Sequence, residues 1–396
     1  MKLPKGFWLN GLNCGIRPKK KKRDLAVFYS FQPANAVGVF TQNYAKAAPV
    51  ILSQKRVPSN TAQAIVVNSG CANAGTGSQG LNDAQYLTKV AARKLGLETT
   101  SVLMASTGVI GEYLPVEKME LGINRLLDNF FPLDSDPAAA VEAIMTTDTF
   151  PKISFRQFNL AGKKITIWGC AKGAGMINPQ MATMLSFILT DAAIELKNLD
   201  RLLKGAVENS FNSLTVDGET STNDSVMLLA NGASLASPVL AKTKESQIFQ
   251  AKLAEVCLEL AKNIARDGEG AGKLIEVIVK NAPSPQKARI LAKSVANSSL
   301  VKTAIYGNDP NWGRVISALG KAGVKFLPQK TSIYFGSICL AKNGLPQNFS
   351  EPESRKILSR KEVRITIDLH YGKNSAKIFT CDLTPKYVEI NSDYRS

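Results

Sequence analysis

Several stretches of this chain are apolar at nearly every position instead of at every second one. DLAVFYS (Asp24 to Ser30), TAQAIVVNSG (Thr61 to Gly70) and SVLMASTGVIG (from Ser101) are the clearest. A strand with one wet face alternates, so an unbroken apolar run reads as a strand covered on both faces. Between such runs, LNDAQYLTKVAARKLG has helical spacing and a glycine stop at Gly96. LDRLLKGAVENSF places Leu199, Leu202, Leu203, Ala206 and Val207 on one helical stripe, and SQIFQAKLAEVCLELAKNIARD repeats the pattern over a longer span. VGVFTQ (Val37 to Gln42), GKKITIWG and KLIEVIVK read as further strands. The fold expected is layered α/β. No P-loop occurs, and no GxGxxG falls between a strand and a helix, so a nucleotide-binding α/β fold is not supported.

At 396 residues the chain exceeds one ordinary domain. A proline-containing break, KNAPSPQK, suggests a first domain over residues 1–280 and a smaller α+β domain over 281–396. The second holds a helix near Lys287 to Ser298, the glycine-rich turn YGNDPNWGR, and the strands TSIYFGS and VRITIDL. No run approaches 18 apolar residues and the N-terminus lacks an apolar signal core, so a cytoplasmic protein without membrane association is expected.

Histidine sets the strongest limit on chemistry. There is one, His370. A Ser-His-Asp or Cys-His mechanism must use it, and zinc sites built from two or three histidines are excluded. The six cysteines are scattered without a CxxC and read as free thiols. The net charge is +17, and RPKKKKR (Arg17 to Arg23) is its densest cluster. Such a run is either a solvated loop or an anion- or nucleic-acid-binding patch. No aromatic residues interleave with it, and no nucleic-acid partner is expected.

Three polar segments stand out. GCAKGAGMINPQMATMLSF (Gly169 to Phe187) joins a lysine, close glycines and an Ala182-Thr183 pair that enters an apolar run. NSFNSLTVDGETSTNDS (Asn209 to Ser225) is rich in hydroxyls and carries Asp217, Glu219 and Asp224. Their spacing is not that of an EF-hand, and Ser and Thr in such segments often cap helices or make turns. ARDGEGAGK (Ala265 to Lys273) places Glu269 between two glycines, where it suits a cation or an ammonium group.

Taken together, KGAGMINPQMATMLSF, FNSLTVDGETSTND and RDGEGAGK resemble the ornithine acetyltransferase (glutamate N-acetyltransferase, ArgJ) family. AAPVILSQ, NSGCANAGTG, ASTGVIGE, IMTTDTFPK, YGNDPNWGR and the terminal YVEINSDYRS extend the match in order from Ala47 to Ser396. The resemblance implies an αββα sandwich of the DmpA/ArgJ type with a smaller C-terminal domain. It implies a precursor that cuts its own Ala182–Thr183 bond and then uses Thr183 as nucleophile, with the new α-amine as base. It implies transfer of an acetyl group from N2-acetyl-L-ornithine to L-glutamate, no cofactor or metal, and an α2β2 assembly of the cleaved chains. Some members also take acetyl-CoA as donor.

By motif match, Thr107 and Gly108 correspond to the oxyanion hole. Thr146, Lys172, Thr183, Glu269, Asn391 and Ser396 correspond to the substrate-binding positions. The family usually has threonine at Gly272, often serine at Ala174 and commonly threonine at Ser396. The chemistry is self-consistent: a threonine hydroxyl needs a base, and an α-amine of pKa about 7.7–8.0 on the same residue supplies one without a histidine. An aminopeptidase or amidohydrolase on the same fold, with water as acceptor, is the alternative reading.

Overall fold

The computed structural model describes residues 2–17, 22–128, 134–178 and 184–393. The chain forms two compact units. The first comprises residues 1–173, 180–212 and 220–260; the second comprises 174–179, 213–219 and 261–396.

The strands of the first unit are β1 (Phe7–Leu12), β2 (Leu25–Phe40), β3 (Ser59–Cys71), β4 (Val102–Val109), β5 (Lys152–Leu160), β6 (Lys163–Lys172), β7 (Leu185–Thr190) and β8 (Ser225–Ala230). Its helices are α1 (Ala48–Arg56), α2 (Gly77–Leu95), α3 (Val116–Leu127), α4 (Pro137–Ile144) and α5 (Leu196–Glu208), and α6 (Lys244–Arg266) begins in it. Among the described residues the strands make one hydrogen-bonded sheet in the order β4-β3-β2-β8-β7-β6-β5, with β1 also on β2.

The long β2 explains how one sheet gives two layers. DLAVFYS and VGVFTQ, expected as separate strands, are the two halves of it. Leu25 to Tyr29 pairs with β1 and β3, whereas Asn35 to Phe40 pairs with β8. Between the halves the register shifts, and Phe31, Gln32 and Pro33 are exposed. Pro33 has no N–H to give a ladder, and a bulged, exposed position is where a strand tolerates it.

Ala26 and Phe28 then face β7, with the Phe28 and Phe187 ring centroids 4.8 Å apart in a core shared by β1–β4 and β6–β8. The alternate residues Leu25, Val27 and Tyr29 pack into a second core with α2 and α3. Both faces are buried, which is why these runs do not alternate. Beyond β6, a Cβ placed on Gly169 would touch Val256 and Leu260 of α6 at 3.2 and 3.1 Å. Parallel pairs β3/β4 and β7/β8 are joined through α2 and α5.

The second unit holds β9 (Leu274–Ala282), β10 (Ser332–Phe335), β11 (Ile338–Lys342), β12 (Leu345–Pro346), β13 (Glu362–Asp368) and β14 (Asn374–Cys381). Their order is β12-β11-β10-β13-β9-β14. The helices are α7 (Pro285–Ala296), α8 (Ser299–Tyr306), α9 (Trp312–Gly320), α10 (Glu351–Leu358) and α11 (Pro385–Ser392). The core packs Val277, Ile365 and Ile378 of the sheet with Leu291, Ile305, Leu319 and Leu358 of the helices. A boundary at residue 280 would leave β9 in the first domain; here β9 pairs with both β13 and β14. Among the described residues no helix is long and apolar enough to cross a membrane.

Candidate functional site

In the first unit, several strands deliver polar residues at their ends. Thr107 and Gly108 lie near the C-terminal end of β4, where β3 bulges at Gly70 and Cys71. Gly108 has φ +134°, and a Cβ there would sit 2.2 Å from the Gly70 carbonyl carbon and 2.5 Å from the Cys71 nitrogen. Glycine is therefore required twice, by the dihedral and by the approach of the neighbouring strand. Lys172 ends β6, is buried, and donates from Nζ to the Thr107 hydroxyl at 3.1 Å.

Behind Lys172 is a fully buried carboxylate. Asp148 Oδ1 accepts from Lys152 Nζ at 2.6 Å and from the Gly173 N–H at 2.7 Å. Its Oδ2 accepts from the Thr146 N–H at 3.0 Å. Burial alone would raise this carboxyl's pKa. The Lys152 and Lys172 charges and the Gly173 and Lys152 hydrogen bonds outweigh burial and hold it down at about 2. Asp148 thus ties residue 146 to the residue after Lys172.

Asn223 bridges the segment after β3 to strand β4, donating from Nδ2 to the Ala72 carbonyl at 2.7 Å and the Ser106 carbonyl at 2.8 Å. Ser106 in turn donates to Asn68 Oδ1 at 2.5 Å. The position before Thr107 is thereby fixed. Next to Asn223, buried Asp224 accepts the Met184 N–H on Oδ1 at 3.1 Å. Ala182 and Thr183 lie outside the described residues, as does Ser396.

The second unit holds Glu269 and Asn391. Glu269 is buried, its N–H donates to the Ala174 carbonyl at 2.9 Å, and its Oε2 accepts from Asn391 Nδ2 at 2.8 Å. Asn391 comes from α11, which is laid against the 269–272 turn. The Thr384 hydroxyl donates to the Gly270 carbonyl at 2.7 Å, and Gly270, at φ +71°, has Lys386 and Tyr387 where a Cβ would go. Asp217 accepts the N–H groups of Met176 and Ile177 at 2.6 and 2.8 Å and the Tyr387 hydroxyl at 3.3 Å. The Tyr387 hydroxyl's pKa is raised, by burial and then by Asp217. At Gly272 the N–H donates to Asp382 Oδ1 at 2.7 Å, and an added Cβ would lie 3.3 Å from Asp382 Oδ2. Ala174 is buried.

The structure thus brings Thr107 to Lys172 and Asn391 to Glu269, and it ties Thr146 to Gly173 through Asp148. Asp148, Lys152, Asn223 and Asp224 were not singled out as site residues from sequence. A signal existed for all four: Asp148 and Lys152 fall within IMTTDTFPK, and Asn223 and Asp224 close FNSLTVDGETSTND. His370 is an exposed turn residue at φ +45° beside Asp368. Among the described residues no three His, Cys, Asp or Glu side chains are grouped to hold a metal ion. Arg17, which opens the basic run, donates to the Met145 carbonyl at 2.5 Å, and Arg23 pairs with Glu142.

The sequence profile of the ArgJ family matches residues 8–396. The arginine biosynthesis bifunctional protein ArgJ of Thermotoga neapolitana is 47% identical over 402 aligned residues, covering all of both chains. That of Bacillus subtilis is 44% identical over 394 residues, covering 99% of this chain and 96% of its own. Among solved structures, the crystal structure of the ArgJ protein of Bacillus halodurans superposes with a TM-score of 0.52 at 44% identity, covering 53% of this chain and 99% of that one. The chain belongs to the ArgJ family and is an enzyme of the glutamate/ornithine N-acetyltransferase kind, acting in arginine biosynthesis.

Proposed function

We propose that the chain is a self-processing N-terminal-threonine acetyltransferase, with the first unit an αββα sandwich that carries the nucleophile. The precursor cuts between Ala182 and Thr183. The Thr183 hydroxyl then attacks the acetyl carbonyl of N2-acetyl-L-ornithine, its α-amine taking the hydroxyl proton. The amide C–N bond breaks, the proton passes to the departing ornithine amine, and an acetyl-threonine ester remains. The amine of L-glutamate attacks this ester, forming N-acetylglutamate and restoring the hydroxyl. Acetyl-CoA is a second acetyl donor to test, and the cleaved chains assemble as α2β2 in the cytoplasm.

The observation that carries this reading is the buried strand-end pair in which Lys172 meets the Thr107 hydroxyl beside the obligatory glycine, Gly108. Donors fixed in advance and shielded from water are what a developing oxyanion requires. Lys172 suits the α-carboxylate common to both substrates. Glu269, held by Asn391, suits the ornithine ammonium. Thr146 and Ser396 are assigned to substrate binding by the motif match.

Denaturing mass spectrometry tests the reading. The protein should appear as fragments of 182 and 214 residues. Incubation with acetylornithine alone should add one acetyl group to the fragment beginning at Thr183, and glutamate should remove it. Thr183→Ala should abolish cutting and transfer together. A fully active protein that stays intact, or release of free acetate without acetylation of glutamate, would replace this reading with another.

A further inference from the structure

Two short links lie side by side in the second unit. Residues 267–273 join α6 to β9 and carry Glu269; residues 382–384 join β14 to α11, which carries Asn391. Asp382 ties one link to the other. Its Oδ1 accepts the N–H groups of Gly272 and Lys273 at 2.7 and 2.8 Å. Its own N–H donates to the Lys273 carbonyl at 3.2 Å. Nearer Glu269 the first link closes on itself, the Ala271 N–H donating to the Gly268 carbonyl at 2.7 Å. The exit of the Glu269 turn and the approach to α11 are therefore fixed by one side chain.

Asp382 is only 3% exposed, and its other oxygen, Oδ2, has no hydrogen-bond partner among the described residues. Buried polar atoms are nearly always satisfied, and one left over calls for an explanation. Gly272 faces it. A Cβ there would meet Asp382 Oδ2 at 3.3 Å and Oδ1 at 4.0 Å, and no other atom outside its chain neighbours within 4 Å. Gly272 is not among the glycines at positive φ, so a side chain fits its backbone. Charge explains why an acid stands here. Hydrogen bonds to an ionised acceptor are roughly twice as strong as neutral ones, so a carboxylate grips the two N–H groups more firmly than an amide. Asp382 also acts on Lys273, whose pKa is lowered by burial and raised in part by this carboxylate. Lys273 Nζ itself donates to neutral oxygens, the Ile305 carbonyl and Asn308 Oδ1, both at 2.6 Å.

We infer that Asp382 is a positioning residue for recognition of the ornithine ammonium: it locks the turn bearing Glu269 to the segment bearing Asn391, and so aims the carboxylate that the cation meets. The inference rests on the reading of Glu269 as the partner of that ammonium. The Glu269 carboxyl has little room to be aimed otherwise. A Cβ on Gly175 would lie 2.3 Å from its Oε2, the same oxygen that accepts from Asn391 Nδ2 at 2.8 Å. Its N–H is held by the Ala174 carbonyl at 2.9 Å. With those contacts set, the path of residues 270–273 decides where the carboxylate points, and Asp382 fixes that path. Glutamate carries a carboxylate in place of the ornithine ammonium, so its half of the reaction does not draw on this attraction.

Asp382→Asn in the full-length protein tests this, because the amide keeps a carbonyl oxygen for the two N–H groups and nearly the same volume. Its kcat/KM for acetylornithine should fall about tenfold to hundredfold, as misplacement of a binding group does, while kcat/KM for glutamate stays within about twofold of wild type. Gly272→Ser supplies the rescue. Its hydroxyl, one bond beyond the Cβ, can accept from the new amide, so the double variant should recover most of the loss. An unchanged kcat/KM for acetylornithine in Asp382→Asn would overturn the inference. So would equal losses for both substrates, or no recovery in the double variant. If Asp382→Asn does not fold, the single variants at position 272 decide. Gly272→Ala adds the same Cβ and the same chain stiffening without a hydroxyl. Gly272→Ser should melt above it and bind acetylornithine with a lower KM, its hydroxyl donating to Asp382 Oδ2; failure of either comparison overturns the inference. Glu269→Gln separates the two readings. If it spares acetylornithine, the Glu269 reading fails and this inference with it. If it damages acetylornithine selectively and Asp382→Asn does not, the positioning role alone fails.

Discussion

Gly108 and Asp148 show how little a side chain here is free to vary. At Gly108 a methyl group would have to occupy the space of the Gly70–Cys71 peptide, at a φ that only glycine takes readily. Gly108→Ala should therefore shift the end of β4 and misdirect its N–H. The expected loss is about a hundredfold in kcat, the usual effect of removing one oxyanion donor, with a much smaller change in KM. Steady-state kinetics check the division, and a change in KM alone would contradict the role. Asp148 acts through charge. Its carboxyl is held down at about 2 by Lys152 and Lys172 against burial, so its stabilising effect is complete above the unfolded value near 3.9 and disappears as pH falls through about 2. Asp148→Asn should flatten the fall in stability between those two pH values. At neutral pH it should cost about 3–5 kcal/mol, because Lys152 loses the carboxylate it is buried against. Urea midpoints measured at neutral pH and across the acid range would show both effects.

At the scale of elements, much of the layout was legible because periodicity is a local property. The stripe Leu199, Leu202, Leu203, Ala206 and Val207 is the buried face of α5. The helix expected up to Gly96 does end there, in a left-handed cap at φ +66°, although α2 begins earlier, inside the small-residue segment. YGNDPNWGR read as a turn, yet α9 starts within it because Asn311 caps the helix by accepting the Arg314 N–H at 3.2 Å. The union of two apolar runs into β2 was hidden by Pro33, whose usual meaning as a strand breaker fails at an exposed bulge. The polar residues around Lys172 were harder still. Asp148 and Asp224 resemble any acid in a hydroxyl-rich segment until the fold brings Gly173 and Met184 to them, 25 and 40 residues away in sequence. The layered core itself makes a direct prediction. Phe187→Ala removes the ring that packs on Phe28 between the two sheet layers and should cost about 3–5 kcal/mol. Chemical denaturation of the purified variant measures it, and a cost well below 1 kcal/mol would mean that the layers do not depend on this contact.

For the molecule as a whole, the proposed cut falls between two strands that are neighbours in one sheet. β6 precedes it and β7 follows it, and they pair antiparallel over six residues, from Ile167 with Thr190 to Lys172 with Leu185. β8 also follows the cut and pairs with β2, which precedes it. The order β3-β2-β8-β7-β6-β5 therefore inserts two strands of the C-terminal fragment between strands of the N-terminal one. Leu185, Phe187, Leu189, Met227 and Leu229 of the inserted pair are buried in the same core as Phe28, Ile65 and Trp168. Separating the fragments would break a ladder on each side of the pair and expose that core. Each fully buried side chain of this kind contributes about 1.5–3 kcal/mol. Breaking one peptide bond removes none of these contacts. The two fragments should therefore elute together in gel filtration without denaturant and part only as the first unit unfolds. Neither should be recovered folded when expressed without the other. Coelution that persists until the denaturant midpoint of activity is the expected result; separate folded fragments in native buffer would show that the sheet described here is not the structure of the processed enzyme.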